Sequence, residues 1–513
     1  MVGATPNNRP TESRLRWGEM TSRLGPRAVP AVVHLVAVLA LMVPLAPHLP
    51  AQSHLPRFER TDCWVDGDWA RDVRRECGWL VVRESRDRAG AHTVRLAVEV
   101  FRAREPSGAP PRVFLHGGPG GAGGIRLYSE GIARSPWSLH RDVVIYDQRG
   151  AGLSEPKLCP GYDAAADPAV TEARHACIAE LQARGVNRQA YNTAASVADL
   201  IDLRRTLGYA SWDVYGVSYG ARLAQEAMAR DRRGIHAVVL ASPVARSFSS
   251  QAEQPLSTQR AFERVFAACA RQRSCRDAFP NVEQDFDTAY DDLTSSPVSV
   301  PIIRPDSGRD TVWFDGRRLV DDIRNRMLNR PRMGVARLPL LLHELRAGDR
   351  LRAVREIMGE GSRNAPDGAL RAVINCSDHA TYGTAYRRTL DSVNAIARRP
   401  FRRSIDRGCE EWLPHLRDGT MPAPLRSDIP TLILTGYFDD RAPTEHARRI
   451  AATLTQVYLV EFPDEGHDTR APACHAAIVV QFLEDPTRKP DTSCVAAIPL
   501  IPFATAWEPA RGP

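Results

Sequence analysis

Short apolar runs alternate with segments of helical spacing through the first half of the chain. The segment Thr93–Phe101 alternates strictly between apolar and polar residues, which predicts an early antiparallel strand. The segment 195–207 is amphipathic and predicts a helix. Four other runs are more continuously apolar and predict buried strands; they lie at 111–116, 141–147, 212–215 and 235–242. Short strands alternating with helices indicate an α/β fold with a mostly parallel sheet and crossover helices.

The strand–helix alternation stops near Val244 and returns near 429. Between these points the apolar residues have helical spacing in three segments, at 262–270, 319–328 and 335–345. We therefore predict an inserted, mainly helical cap over residues 244–428. Buried strands at 430–435 and 457–462 and a closing helix at 476–483 restore the core pattern. The predicted domains are a core in two parts, 53–243 and 429–498, the cap between them, and an irregular tail at 499–513.

Residues 1–52 have a different composition from the rest of the chain. Five arginines in 9–27 precede the apolar run Ala31–Ala46, which Pro44 interrupts. Sixteen residues are short for a membrane span, whereas a basic region, an apolar region and a polar break are typical of a secretory signal. An uncleaved N-terminal anchor is the alternative. No second apolar run of spanning length follows, so we expect a secreted or periplasmic protein without stable membrane insertion after signal cleavage.

The ten cysteines all lie after the predicted signal, which indicates disulfides in an exported chain. They fall into near neighbours, so the simplest pairing is sequential: 63–77, 159–177, 269–275, 376–409 and 474–494. There is no C-x-x-C or H-E-x-x-H motif, and we expect no metal and no cofactor. The net charge of +7 comes from basic residues interleaved with acids, so no nucleic-acid partner is expected. Oligomeric state is unknown.

One stretch of the predicted core carries the pattern of a nucleophile elbow. Gly216-Val217-Ser218-Tyr219-Gly220 is a G-x-S-x-G that follows a buried strand and precedes ten residues of strong helix formers. The two glycines permit the sharp turn that lifts the serine oxygen above the sheet. The helix beginning after Ser218 favours negative charge near the serine. The pattern predicts Ser218 as a catalytic nucleophile.

A serine nucleophile needs a histidine base and a carboxylate that orients it. In sheets of this type the chain order is serine, acid, histidine. Asp439 and Asp440 follow the strand 430–435, and His467 follows the strand 457–462. We predict Asp439 and His467 as the other two members of the triad, with Asp440 as the alternative acid.

The glycine-rich loop after the strand 111–116 supplies a candidate oxyanion site. Backbone N–H groups should stabilise the oxyanion, and we predict those of Gly118 and Tyr219, with Gly117 as the alternative to Gly118. The same loop also reads G-x-G-x-x-G, and Asp147 ends the next strand, which is the dinucleotide-binding pattern. The proline inside the turn and the predicted export argue against that alternative.

Taken together, the motifs HGGPGG, DQRGAGLS, GVSYG, GYFDD and the late GH resemble the α/β-hydrolase peptidases of the proline iminopeptidase and secreted tripeptidyl aminopeptidase group. The resemblance covers roughly 90–245 and 425–495. Residues 373–378 (VINCSD) and the cysteines flanking the closing helix resemble the tripeptidyl branch. The resemblance implies the α/β-hydrolase fold, the triad Ser218, Asp439 and His467, and an exopeptidase that releases short pieces from free N-termini. Arg441-Ala442 departs from the group's pattern after the acid.

The expected function is therefore an exported serine aminopeptidase that uses an acyl-enzyme on Ser218. We expect tripeptide release first and release of N-terminal proline second, with peptides that have a free N-terminus as partners. An esterase or lipase with the same triad is the main alternative, and a nonenzymatic exported binding protein is a third. Five acids of the cap are candidates for binding the substrate ammonium: Glu253, Asp321, Asp322, Glu344 and Asp378.

Overall fold

The computed structural model describes residues 54–88, 92–121, 123–160, 162, 170–304, 308–359, 368–378, 382–401, 408–414, 421–467 and 472–507. The predicted signal or anchor at 1–52 lies outside these ranges. Within them, no helix combines the length and the apolar composition needed to cross a bilayer.

Nine strands of the described chain form one sheet. They are β1 (Arg57–Thr61), β2 (Arg75–Arg83), β3 (Thr93–Phe101), β4 (Arg112–Leu115), β5 (Val143–Tyr146), β6 (Trp212–Val217), β7 (Ile235–Ala241), β10 (Thr431–Gly436) and β11 (Val457–Phe462). The spatial order is β1-β2-β3-β5-β4-β6-β7-β10-β11. The pairings from β5 to β11 are parallel, and those among β1, β2, β3 and β5 are antiparallel. The predicted mostly parallel sheet and early antiparallel strand are confirmed.

Helices cover both faces of this sheet and build the cap. In the core they are α1 (Gly124–Arg134), α2 (Val170–Ala183), α3 (Thr193–Thr206), α4 (Tyr219–Arg230), α15 (Thr444–Ala451), α16 (Pro472–Glu484) and α17 (Ser493–Ala496). In the predicted cap they are α5 (Ser250–Arg271), α6 (Arg273–Ala278), α7 (Val282–Ser295), α8 (Gly316–Asp322), α9 (Leu338–Ala347), α10 (Arg350–Met358), α11 (Gly368–Asp378), α12 (Tyr382–Ser392), α13 (Ala395–Phe401) and α14 (Cys409–Trp412).

The central strands bury both of their faces, which explains their continuously apolar sequences. In β7, Val238 and Leu240 pack on the face covered by α3, α4 and α15, whereas Ala237 and Val239 pack on the face covered by α1 and α16. Successive residues of a strand point to opposite faces, so a strand with helices on both sides needs apolar residues at every position.

A buried ion pair fixes the loop after β5 to the helix α3. The guanidinium of Arg149 donates two hydrogen bonds of 2.7 Å to the carboxylate of Asp199, and both side chains are almost fully buried. The same guanidinium donates to the carbonyl oxygens of Glu84 and Ala190. The attraction between two buried charges offsets the cost of their desolvation only when hydrogen bonds also satisfy the remaining polar atoms, as they do for the Arg149 guanidinium. Arg149, the arginine of the DQRGAGLS motif, therefore has a structural role.

The chain between 244 and 428, which we call the cap, differs from the sequence prediction in two respects. Between α7 and α8 the chain forms an antiparallel hairpin of β8 (Val298–Arg304) and β9 (Gly308–Phe314), which the prediction of a mainly helical insertion missed. Pro301 within β8 weakened the strand signal. A two-stranded hairpin tolerates proline because each strand has one unpaired edge. The predicted helix 319–328 is also divided, into α8 and a π-helical turn at Ile323–Met327.

Five disulfides link the cysteines in sequential order, as the sequence predicts. The bridge between Cys376 and Cys409 spans 33 residues and joins α11 to α14 within the cap. The bridge between Cys269 and Cys275 spans six residues. Because a cross-link restricts the unfolded chain more when it closes a longer loop, these two bridges should contribute unequally to stability.

We predict that replacing both Cys376 and Cys409 by serine lowers the free energy of unfolding by about 4 kcal/mol, and replacing Cys269 and Cys275 by about 2 kcal/mol. Urea denaturation of the two double variants beside the parent measures both values. Peptide mapping of the native-source protein without reduction should first show all five linked pairs. Free thiols at most of these positions would contradict both the pairing and the predicted export.

Candidate active site

The nucleophile elbow joins β6 to α4. Ser218 has φ 56° and ψ −116°, a conformation that is strained for a residue with a side chain. A Cβ added to Gly216 would lie 2.5 Å from the carbonyl oxygen of Gly220, and one added to Gly220 would lie 2.1 Å from that of Leu115. Neither glycine can carry a side chain, so both are needed for the close approach of β4, β6 and α4.

The three predicted triad residues form one hydrogen-bonded row. His467 Nε2 lies 2.9 Å from Ser218 Oγ. On the other side of the ring, His467 Nδ1 lies 3.0 and 2.9 Å from the two carboxylate oxygens of Asp439. Because the carboxylate can only accept, Nδ1 carries the proton and Nε2 is free to accept the serine proton. The arrangement suits general-base activation of Ser218.

Asp439 is buried and held as a carboxylate. Burial alone would raise its pKa, but the interaction with His467 and two backbone N–H groups together lower the pKa below the usual range. Those N–H groups belong to Arg441 and Ala442, each 2.8 Å from Oδ1. The departure from the family pattern at 441–442 therefore leaves the backbone hydrogen bonds to the acid in place.

Asp440 faces away from His467 and into the cap. Its carboxylate accepts a hydrogen bond of 2.7 Å from Arg324 Nε in the π-helical turn, and both side chains are buried. Nearby, Arg441 donates to the side-chain oxygen of Asn325 at 2.6 Å. The loop that carries the acid is thus joined to the cap through the two residues that follow Asp439.

The glycine-rich loop lies directly beside the nucleophile. A Cβ added to Gly117 would be 3.1 Å from Ser218 Cβ and 3.7 Å from Ser218 Oγ. His116 Nδ1 lies 2.8 Å from the carbonyl oxygen of Gly117 and therefore donates to it. Burial lowers the pKa of His116, so its imidazole is neutral. Since the C=O and N–H of a trans peptide point in opposite directions, this bond also fixes the direction of the Gly118 N–H.

Tyr219 supplies the other predicted oxyanion donor. It is the first residue of α4, so its N–H has no acceptor within the helix. In the first turn of α4, Ala221 N and Arg222 N donate hydrogen bonds to the carbonyl oxygen of Ser218. Positive potential at this helix end favours an anion beside Ser218.

Asp147 holds the two motif loops together. Its Oδ1 accepts from the N–H groups of Gly124 and Ile125, and its Oδ2 accepts from Leu153 N. With both oxygens occupied by backbone donors and the side chain fully buried, it is not available to bind a ribose. Asp147 therefore cannot serve as the acidic residue of a dinucleotide-binding site.

Sequence reasoning missed His116 and Arg324 as residues that support the site. The motif HGGPGG contains His116, but its side-chain bond to the next carbonyl could not be deduced from spacing. Arg324 lies more than a hundred positions before Asp440, and a single sequence carries no signal that pairs them.

One group of potential metal ligands occurs in the described part of the chain. It consists of Cys63, Cys77 and Glu99. The two cysteines are joined in a disulfide, and disulfide sulfurs lack the thiolate charge that binds metals. Glu99 is bonded to Arg75 and Ser129. These residues do not fit a metal site.

Comparisons with known proteins agree with the topology. Residues 110–286 match the family described as alpha/beta hydrolase fold, and residues 397–494 match the family described as TAP-like protein. The protein has the α/β-hydrolase fold. The second match includes both Asp439 and His467, and the resemblance of the chain to the proline iminopeptidase and tripeptidyl aminopeptidase group is confirmed.

Two curated relatives are probable proline iminopeptidases. The one from Streptomyces coelicolor is 30% identical over 208 residues, covering 40% of this chain and 52% of the relative. The one from Leptolyngbya boryana is 34% identical over 123 residues, covering 23% and 28%. The chain thus spans about half, or less, of the length of these relatives.

Solved structures with similarity include a proline iminopeptidase from Mycobacterium smegmatis, with a TM-score of 0.38 and 16% identity over 80% of this chain and 98% of that one. An esterase from Thermogutta terrifontis has a TM-score of 0.34 and 17% identity over 80% and 99%.

We predict opposite outcomes for the two adjacent aspartates. Asp439→Asn should lower kcat about 10⁴-fold, as should Ser218→Ala, because His467 loses the partner that fixes its tautomer. Asp440→Asn should keep kcat within about tenfold but lower the free energy of unfolding by about 3–5 kcal/mol, because it leaves Arg324 buried without its partner.

Turnover of a peptide arylamide and of a p-nitrophenyl ester measures the catalytic effect, and urea denaturation measures the effect on stability. Loss of turnover in Asp440→Asn, with Asp439→Asn active and both variants folded, would show that the acid is Asp440.

Proposed function

We propose that this α/β hydrolase is an exported serine aminopeptidase that releases short peptides, tripeptides first, from free N-termini. The observation that carries the proposal is the row Ser218–His467–Asp439, with distances of 2.9 Å on both sides of the imidazole. The family match that includes the acid and the histidine, and the proline iminopeptidase relatives, support a peptidase. Release of a single N-terminal proline is the second candidate, and an esterase on the same triad is the alternative.

In the proposed acylation step, Ser218 Oγ attacks the scissile carbonyl carbon while its proton moves to His467 Nε2. Asp439 stabilises the imidazolium that results. The carbonyl oxygen becomes an oxyanion, and the N–H groups of Tyr219 and Gly118 are the proposed donors to it. The tetrahedral species collapses, the carbon–nitrogen bond breaks, and His467 gives its proton to the departing amine.

Deacylation repeats the sequence with water. His467 Nε2 takes a proton from water as the water oxygen attacks the acyl carbon, and returns that proton to Ser218 Oγ as the ester bond breaks. The released acid is the short N-terminal fragment, and the enzyme is restored.

An exopeptidase needs a site for the substrate ammonium, and the structure separates the five candidate acids. Four of them already have close partners within the protein. Glu253 is paired with His446 and Arg449, Asp322 with Arg318 and Arg326, Glu344 with the N–H of Asp349, and Asp378 with Thr193.

Asp321 is the fifth acid, and it has a different environment. Its carboxylate lies 3.8 Å from Arg317 and 3.9 Å from Arg324, beyond hydrogen-bond distance. The side chain is 44% exposed, so a ligand can reach the carboxylate, and partial burial raises the pKa of its carboxyl. Arg324 bonds to Asp440, next to the proposed catalytic acid. We propose Asp321 as the acceptor of the substrate ammonium.

Export is proposed from two independent features. The chain carries the predicted signal at its N-terminus, and five disulfides lie within the described core and cap. Disulfides persist in oxidising compartments outside the cytosol.

The substrate prediction is tested with Ala-Ala-Pro-, Ala-Pro- and Pro-arylamides, each with a free or an N-acetylated terminus. We expect the free tripeptide substrate to have the highest kcat/KM, and acetylation to lower it about a hundredfold or more, because the ammonium loses its carboxylate partner.

Equal kcat/KM for free and acetylated peptides would exclude the exopeptidase function. Turnover of p-nitrophenyl esters without any turnover of arylamides would identify the protein as an esterase.

Replacing the proposed ammonium acceptor should change substrate preference rather than chemistry. We expect Asp321→Asn to lower kcat/KM about tenfold to a hundredfold for the free peptide and to leave the acetylated peptide unaffected, since only the free peptide carries the charge. The matched control is Asp322→Asn, the adjacent acid paired with two arginines. Equal losses for both substrates in Asp321→Asn would rule out Asp321 as the acceptor.

A further inference from the structure

The VINCSD segment of the cap reaches the nucleophile elbow through Asp378. Asp378 is the last residue of α11, and its carboxylate meets the first residue of α3. Thr193 N donates to Asp378 Oδ1 at 3.3 Å, and the Thr193 hydroxyl donates to Asp378 Oδ2. A cap carboxylate thus satisfies one of the unpaired N–H groups at the start of a core helix.

The same threonine hydroxyl contacts Tyr219, the residue directly after the nucleophile. The Tyr219 hydroxyl lies 2.9 Å from Thr193 Oγ1. Thr193 has one hydroxyl proton, which it donates to Asp378 Oδ2, so the Tyr219 hydroxyl is the donor in the second bond. The hydrogen bonds therefore run in one direction, from Tyr219 to Thr193 and from Thr193 to Asp378. Tyr219 and Thr193 are both buried.

Two further contacts fix this network. Arg222, one turn after Tyr219 on α4, has its Nε 3.8 Å from Asp378 Oδ2, and its Nη1 donates to the carbonyl oxygens of Ala245 and Phe248. Cys376, two residues before Asp378, is bonded to Cys409. The end of α11 is therefore held on one side by a disulfide and on the other by the first turn of α4.

We propose that Asp378 and Thr193 are positioning residues that hold Tyr219 so that its backbone N–H points at the developing oxyanion. The inference rests on the proposed function in assigning the Tyr219 N–H as an oxyanion donor. The side chain of Tyr219 contributes through its hydroxyl, which is bonded to Thr193. The VINCSD segment thereby couples the cap to the acyl-transfer chemistry.

The test uses three nearly isosteric variants of the full-length protein: Tyr219→Phe, Thr193→Val and Asp378→Asn. Outright loss of an oxyanion donor lowers kcat about 10²–10³-fold, so a loosened donor should lower it about tenfold, with KM within about twofold. The double variant Tyr219→Phe with Asp378→Asn should lose about as much kcat as either single variant, because both break one chain.

Inhibitor affinity separates positioning from general destabilisation. A tripeptide aldehyde forms a tetrahedral adduct whose oxygen occupies the oxyanion site, whereas the matching alcohol does not. We expect the variants to lose aldehyde affinity by the same factor as kcat and to keep alcohol affinity. Asp285→Asn is the control, because Asp285 is a buried cap acid paired with Arg346; it should leave the ratio of the two affinities unchanged.

Three results would overturn the inference: variants with parental kcat, additive losses in the double variant, or equal losses of aldehyde and alcohol affinity. A loss in Asp378→Asn confined to free-amine substrates would instead make Asp378 an ammonium acceptor and also overturn it. If the parent hydrolyses only esters, the proposed peptidase function is wrong. The positioning role of Asp378 and Thr193 is then still tested by the ester kcat and by the rate at which a fluorophosphonate labels Ser218. A parent that shows no turnover and no labelling overturns both.

Discussion

The backbone strain at Ser218 is the constraint on which the rest of the site depends. A serine at φ 56° is less stable than one in an ordinary turn by about 1–3 kcal/mol, and the conformation persists only if its surroundings hold it. Here Ser218 N donates to the carbonyl of Ala241 in β7, and its own carbonyl accepts from the first turn of α4. The glycines at 216 and 220 let two strands and a helix pack within van der Waals distance of this turn. A side chain at either position would therefore displace the backbone at Ser218.

Asp439 and His467, the proposed acid and base, are also positioned by a close approach of backbone at glycines. The loops after β10 and β11 cross where Gly436 meets Gly466, and a Cβ on Gly436 would lie 2.2 Å from the carbonyl oxygen of Gly466. A Cβ on Gly466 would in turn clash with the carbonyl of Leu328, just after the π-helical turn of the cap. The cap is thus packed directly against the histidine loop. The alignment of His467 therefore depends on this contact with the cap.

Local patterns in the sequence were enough to predict the core strands and the strand–turn–helix of the elbow, because each is specified by contiguous residues; the proposed triad was inferred from its order after successive strands. The buried runs needed no partner to be recognised, and the elbow is encoded within five positions. The hairpin β8–β9 was missed because Pro301 and short alternating runs give a weak strand signal. The bonds from Asp378 to Thr193 and from Arg324 to Asp440 join residues more than a hundred positions apart. Such contacts are decided by tertiary packing, which periodicity and spacing do not describe.

The adjacent pair Asp439 and Asp440 shows how tertiary contacts divide two identical side chains between two tasks. Both carboxylates are buried, so each needs a compensating charge or donor to remain ionised. Asp439 takes two backbone N–H groups and the imidazole, a set that leaves it oriented toward the base. Asp440 takes the guanidinium of Arg324, a permanent cation, and so joins the loop to the cap. Because the guanidinium of Arg324 is bonded to Asp440, both oxygens of Asp439 remain directed to His467 and to the two backbone N–H groups. In the proposed acylation step, the Asp439 carboxylate is therefore placed to stabilise the imidazolium as it forms.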